Sequence, residues 1–256
     1  MQVVHSKIPK LESMKKYPKS LFYRGDLSLL KKNMISIVGT RKPNQYTKQL
    51  TFELATKLSS AGVCIVSGAA MGVDAIAHKG AGSSNTIAVM ANGLDIVYPQ
   101  VNRSLIEEIE KEGLTLSQFE SGFKATKWSF VVRNEIVVAL GDVLIVTQAD
   151  LNSGTMRSVE FAKKMGKKIY VLPHRHKESE GTSSLLKSGD AEAIYDIDEF
   201  VSMFSSNEST CKSDTFLNYC MKTPSYEEAV LKFGDRVFEY ELDGKIRVDD
   251  GFVLVV

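Results

Sequence analysis

Several marks of specialised protein classes are missing from this sequence. It contains three cysteines in 256 residues, Cys64, Cys211 and Cys220. Their spacing fits neither a disulfide framework nor a metal knuckle, and Cys64 lies inside an apolar run where a small hydrophobe would serve. No clustered Cys/His pattern occurs, and His174-Arg175-His176 stands alone, so no structural metal is expected. No run approaches the ~20 apolar residues that cross a bilayer. The opening MQVVHSKIPKLESMKKYPKS has no apolar stretch followed by a small-residue cleavage site. The expectation is a protein of the reducing cytoplasm without membrane spans. Strong net charge is also absent, at +1 overall. Residues 207–256 hold six Lys/Arg and ten Asp/Glu, a balance of −4, so residues 1–206 carry +5. That is small beside strong nucleic-acid binders.

What is present is a 43% hydrophobic chain, enough for a sizeable core, with a regular alternation. β-Branched runs recur: MISIVGT from Met34, VCIVSG from Val63, TIAVMANG from Thr86, LTLSQF from Leu114, DVLIVTQ from Asp142 and KIYVLP from Lys168. Each is apolar on both faces, as central parallel strands are. Helical patterns such as YTKQLTFELATKLSSAG and SVEFAKKMGKK lie between them, and Gly62 and Gly166 fall where helices should end. Strand alternating with helix predicts an α/β fold, a Rossmann-like doubly wound, mostly parallel sheet over residues 34–206. Residues 1–33, broken by Pro9 and Pro18, read as a lead-in. SSNESTCKSD reads as a linker. Residues 207–256 give three helical stretches and a hairpin turning at Asp250-Gly251, a small winged-helix-like domain. Its acidity argues for protein contacts rather than a grip on phosphates.

Doubly wound sheets bind ligands at the carboxyl ends of their strands, and here those ends are rich in small residues. In VGTRKPN, Gly39 permits a sharp turn, Thr40 offers a hydroxyl, and Arg41 and Lys42 offer charge ahead of a helix N-terminus. This is not the GxGxxG fingerprint, because Arg41 stands where the second glycine would. In SGAAMGVDAIAHKGAG, Ser67 and Gly68 open onto a helix. Asp74 and His78 share a face at i, i+4, which predicts a mutual hydrogen bond that fixes the loop. Ser67 follows Val66, so no nucleophile elbow is present. In ANGLDIVYPQVNRSL, Asn92-Gly93 turns the chain and Asn102 suits a helix cap, while Asp95 and Tyr98 are either loop-organising or ligand-facing. FKATKWSFVVRNE brings Lys124, Lys127, Arg133 and Asn134 together with Trp128 and Phe130, the cations and flat groups that single-stranded nucleic acid requires. For Trp128 itself, core packing is the expectation. In LNSGTMRSVEFAKK, Gly154 and Thr155 form another anion-accepting helix entry. Successive entries of this kind on one sheet edge should converge on one anion-accepting rim.

Taken in order, YPKSLFYRGDLSLL, ISIVGTRKPN, VSGAAMGVDAIAH, ANGLDIVYPQVN, FVVRNEIVVAL and VTQADLNSGTMRSVEFAKKMGKKIYVLP resemble the DNA-processing protein A family, also called Smf or DprA. The likeness runs from about Tyr17 to Pro173. It implies a single-stranded DNA-binding protein of natural transformation, without catalysis and without a nucleotide or other cofactor. Such a protein shields incoming strands, helps to load the RecA recombinase and forms a homodimer through the large domain. The family's DNA-gripping positions fall here on Gly39, Thr40 and Arg41, on Ser67 and Gly68, and on Arg133 and Asn134. Two departures stand out. FESGFKATKW lacks the prolines of the family's SExPxGxxP and carries two lysines, and Glu135 replaces the second arginine of RNRII. The likeness starts almost at once, so the helical domain that often precedes it is expected to be absent. The competing class is an enzyme. LNSGTMRSVE is also similar to the PGGxGTxxE motif of nucleoside-monophosphate phosphoribohydrolases, with Arg133 and Glu160 as its candidate pair, although Leu151-Asn152 stands where proline-glycine would.

Overall fold

The computed structural model describes residues 2–204, 215–220, 223–234, 236–242, 244–249 and 251–255. The linker SSNESTCKSD with Cys211, and Asp250 of the hairpin turn, lie outside the described residues. The chain divides into two compact units, Met1–Ser206 and Asn207–Val256.

The larger unit is built on nine strands: β1 (Gln2–Val3), β2 (Phe22–Gly25), β3 (Met34–Val38), β4 (Cys64–Ser67), β5 (Thr86–Val89), β6 (Leu114–Ser117), β7 (Leu144–Val146), β8 (Ile169–Val171) and β9 (Glu192–Ala193). From β3 onward each strand is followed by a helix: α1 (Gln45–Ser60), α2 (Val73–Ala81), α3 (Arg103–Glu112), α4 (Lys127–Leu140), α5 (Gly154–Lys164), α6 (Glu180–Ser188) and α7 (Ile197–Ser202). The order across the sheet is β1-β2-β6-β5-β4-β3-β7-β8-β9. From β6 to β9 all pairings are parallel, while β2 runs antiparallel to β6, with Phe22 opposite Ser117. The sheet is therefore doubly wound from β3. The chain builds outward to β6, then α4 carries it back to β7 on the other side of β3.

Alternation along the strands sorts two layers of core. Met34, Val38, Cys64 and Val66 face α4 and α5, whereas Ile35, Ile37 and Ile65 face α1 and α2. Burial pushes the Cys64 thiol up to about 12, leaving it an inert hydrophobe. Helix starts follow local chemistry. Asn44 Oδ1 accepts from Thr47 N–H at 2.8 Å, and Thr126 and Ser129 cap α4 reciprocally.

Residues 1–33 are more than a lead-in. They supply β1 and β2 and bury Leu11, Leu21 and Leu29 beside α4 and the sheet. Asn102 differs from its expected capping role. Its amide donates to the carbonyls of Ala69 and Ala70 at 3.0 and 3.1 Å, tying the β5–α3 connection to the loop after β4.

The smaller unit contains α8 (Thr215–Cys220), α9 (Tyr226–Phe233) and α10 (Arg236–Leu242), then an antiparallel pair, β10 (Ile246–Asp249) and β11 (Phe252–Val255). Phe216, Cys220, Ala229, Val237, Ile246 and Val253 form its core. Among the described residues of the chain, no helix is long and apolar enough to cross a membrane.

The helices α1 and α2 approach closely at Gly80. A Cβ there would lie 2.6 Å from the Phe52 carbonyl oxygen and 2.9 Å from Ala55 Cβ. Helix propensity favours alanine over glycine by about 1 kcal/mol, but backbone cannot yield as a flexible side chain can. Gly80→Ala is expected to lower stability by about 1–3 kcal/mol in urea titration. A gain in stability would show that the helices have room to separate.

Candidate nucleic-acid interface

The loops after β3 and β7 leave neighbouring strands for opposite faces of the sheet. That topological switch point opens a crevice, here a groove of about 520 Å³. Four segments line it, one of them the β4–α2 segment through Ala70 and Asp74. The β3–α1 loop supplies Gly39, Thr40 and Arg41, and the start of α5 supplies Gly154 and Thr155. Helix α4 supplies Lys127, Phe130, Val131 and Asn134, spaced i, i+3, i+4 and i+7 on one face.

Small residues bring these loops together. A Cβ on Gly39 would lie 2.6 Å from Val73 Cγ2, and one on Gly72 would lie 2.5 Å from the Thr40 carbonyl oxygen. Gly72 also has φ +80°, which an L side chain resists. The backbones are bonded as well. Thr40 N–H donates to Gln148 O at 2.9 Å and Val73 N–H to Thr40 O at 3.1 Å. The β3–α1 loop is thus pinned between its neighbours.

Arg133 is expected at the anion-accepting rim, but its side chain is buried, with 4% exposure. Its Nη1 donates to the carbonyls of Gly68 and Val89, the latter at 2.8 Å, and its Nε donates to Asn134 Oδ1 at 3.0 Å. A Cβ on Gly68 would land on this guanidinium. Burial draws the Arg133 pKa down, while the Asp74 carboxylate holds it up. For Asp74, burial raises the pKa against the pull of Arg133 and of the Ala70 and Gly68 amides. Arg133 therefore fixes α4 to the ends of β4 and β5.

Other expected positions also move inward. Ser67 is fully buried, and its hydroxyl donates to Ile37 O at 2.7 Å. It shapes the strand end and does not face the groove. Asp74 and His78 do not bond each other. His78 Nε2 accepts from Ala69 N–H at 3.2 Å, so Nδ1 carries the proton toward Thr86 Oγ1 at 2.7 Å. Burial, then the Arg133 charge, lowers the His78 pKa to about 3. It is neutral near pH 7 and does not shuttle protons there. Asp95 proves loop-organising, its carboxylate accepting from Gly122 N–H at 2.9 Å. Tyr98 stands beside the groove, 5.8 Å from the Phe130 ring. Trp128, expected in the core, is 62% exposed.

The cations that do face solvent are distributed unevenly. Arg41 and Lys127 line the groove, while Lys42 and Lys124 are exposed without lining it. Among the described residues none of these four makes an ion pair, whereas Arg157, Lys57 and Lys163 are each neutralised by a carboxylate within 3.0 Å. Arg41 lies 5.2 Å from the centroid of the Phe130 ring and Arg133 5.9 Å, so one aromatic ring is shared by two guanidiniums. At the start of α5, Ser153 turns its hydroxyl to Asp150 O at 2.7 Å and does not cap the helix. The first amides of α5 and their partial positive charge therefore stand beside the groove.

The arrangement can hold an anion against amides and cations while offering flat surface beside it. It does not assemble the pair a ribosyl hydrolase would need. Glu160 is exposed and pairs with Arg157 at 3.0 Å, and Arg133 is enclosed by carbonyls. The sequence marks Phe130 as a flat ring among the cations but not as a residue of the groove, and it gives Asp74 no place in the lining. The i, i+3, i+4, i+7 pattern through Lys127 was the available signal for Phe130.

Residues 3–205 match the family model for DNA recombination-mediator protein A. Among solved structures, the chain is similar to DNA processing protein A of Helicobacter pylori, a protein studied for its single-stranded DNA binding mode. The TM-score is 0.78 at 42% identity, over 79% of this chain and 94% of that one. Likeness to the Streptococcus pneumoniae protein DprA gives a TM-score of 0.71 at 31% identity, over 76% of this chain and 70% of that one. Bacillus subtilis DprA is 35% identical over 166 residues, 64% of this chain and 56% of that protein. Protein Smf of Synechocystis sp. is 37% identical over 164 residues, 62% of this chain and 41% of that protein. The chain thus spans about half the length of these two curated relatives. With residues 3–205 of its 256 matched, the chain belongs to the DNA recombination-mediator protein A family.

Proposed function

We propose that this protein binds single-stranded DNA with little sequence preference, as a binding protein and not an enzyme. The observation that carries the reading is the groove at the switch point, where the unpaired cations Arg41 and Lys127 border the Phe130 ring and the open start of α5. Phosphates suit the cations and amides, and base faces suit the ring. A duplex hides its base faces, so a single strand fits better. The Helicobacter pylori relative, with its single-stranded DNA binding mode, supports the same reading.

In this proposal Gly39, Thr40, Arg41, Lys127, Asn134, Gly154 and Thr155 contact the strand, Lys42 and Lys124 add charge at its margins, and Ser67, Gly68 and Arg133 hold the surface in shape. The role is in natural transformation: shielding incoming strands and helping to load the RecA recombinase, as a cytoplasmic homodimer formed through the large domain. The winged-helix-like reading of the smaller unit belongs to the same proposal. Its excess of acid over base suits contact with protein rather than phosphate.

Gel-shift titration should show single strands preferred over duplex. The logarithm of affinity should fall with the logarithm of salt concentration by about 0.7 per phosphate neutralised. A salt-independent affinity would remove the groove from consideration. Arg41→Ala and Lys127→Ala should each weaken binding by about 1–2 kcal/mol, roughly five- to thirtyfold, with unchanged urea melts.

Arg133→Ala should behave differently, because it leaves the buried carbonyls of Gly68 and Val89 without their donor. The expected result is a loss of about 2–5 kcal/mol in folding stability, with DNA affinity falling as a consequence. If that variant melts like the parent and loses only DNA binding, Arg133 contacts the strand and the holding role assigned to it is wrong.

A further inference from the structure

We infer that Trp128 is a base-stacking platform that extends the single-strand path beyond the groove. This rests on the groove being a single-strand site and adds to it a second contact of different chemistry.

Trp128 is the only tryptophan in the chain, and an indole gains more from burial than most side chains. Here it sits on the first turn of α4 and is 62% exposed. It is not loose. Its ring meets Phe119 edge-on, with centroids 5.9 Å apart and planes at 72°. Phe119 is itself 7% exposed and stacked on Phe123 at 4.4 Å with planes 9° apart. The indole is thus braced against a fixed aromatic wall while keeping flat surface in solvent.

Position and charge select the occupant. Val131, three residues on from Trp128 and its neighbour on the helix surface, lines the groove, so the platform stands beside its edge. Lys124 is exposed just ahead of the helix. From Ser121 to Asn134 the sequence holds Lys124, Lys127 and Arg133 and no acidic residue. A protein partner would meet a lone ring flanked by unpaired ammonium groups. A single strand would meet what its repeat presents, a base face alternating with a phosphate. Capping by Thr126 and Ser129 fixes the helix turn on which the ring stands, so little order is lost on binding.

The single tryptophan makes the test direct. In the 256-residue chain, emission excited at the red edge of the band, where tyrosine does not contribute, reports Trp128 alone. Oligothymidylates of increasing length should quench it strongly once they are long enough to leave the groove. Abasic oligomers of equal charge should bind with much less quenching. Trp128→Ala should weaken binding by roughly tenfold, as for one stacked base, with the salt slope unchanged, because stacking releases no counterions. Trp128→Phe should restore most of the affinity. Lys127→Ala should lower the salt slope and leave quenching at saturation intact.

Gel shifts run on the same samples separate the two readings. If DNA binds with its salt slope but tryptophan emission and Trp128→Ala affinity are unchanged, the platform is refuted and the groove stands. If no DNA binds, both fall. Emission that shifts with protein concentration alone and ignores bound DNA would mean that a second copy covers Trp128, which also overturns the inference. The side chain is exposed, so Trp128→Ala should match the parent in urea melts, and a destabilised variant would contradict the exposed placement.

Discussion

The guanidinium of Arg133 holds the interface together. It donates to the carbonyls of Gly68 and Val89, at the ends of β4 and β5, and faces the buried Asp74. Gly68 follows the last residue of β4 and Val89 is the last residue of β5, and buried carbonyls at such a place need a donor. Arg133 supplies the donor and in doing so sets the rotation of α4. With Arg133 directed inward, Lys127, Phe130, Val131 and Asn134 must face the groove, because they lie on the adjoining face of the same helix. The interaction selects one arrangement more than it adds net stability. A buried arginine loses its hydration, and the Coulomb attraction of Asp74 repays that only while both members are present.

The loops around this clamp follow one rule: backbone packs on backbone wherever a side chain would push the strand ends apart. Gly39 under Val73, Gly72 against Thr40 and Gly68 under the guanidinium each mark a point where a Cβ has no room. A phosphate gains most from amides and cations already in place, because ordering them at the moment of binding would subtract from affinity. His78 belongs to the same framework. Its neutral ring links the Ala69 amide to Thr86, whose hydroxyl donates onward to Ile65 O at 2.7 Å. A charged imidazole there would carry two protons where the chain needs one donor and one acceptor.

The central strands were legible because burial on both faces demands continuous apolar runs, and β3 through β8 have them. The edge elements were not. β1 and β9 are two residues each, and β2, as FYRG, is half-buried, so neither length nor periodicity marked them. At the site, the segments could be named but the depth of each residue could not. Ser67 is the last residue of a strand buried along its whole length, which makes it interior despite its hydroxyl. Asp74 and His78 do share a helical face, but spacing cannot show that Ala69 and Thr86 offer His78 better-placed partners. Arg133 reads as a surface cation in any local window. Its burial depends on Gly68 and Val89, 65 and 44 residues away.

Net charge is a poor guide to what this surface does. The larger unit carries only +5, and several of its cations are neutralised by neighbouring carboxylates. At physiological salt, exposed charges act over about 8 Å, so a phosphate in the groove feels Arg41, Lys127 and the α5 amides far more than the total. Placement then replaces excess. In the proposed role, a few unpaired cations at a switch point, beside the Phe130 ring, would give a single strand a defined track without a large excess of positive charge. Such a surface should hold nucleic acid in the groove without coating itself in it. A strongly basic protein of the same size lacks that discrimination, because its field attracts any polyanion to any face.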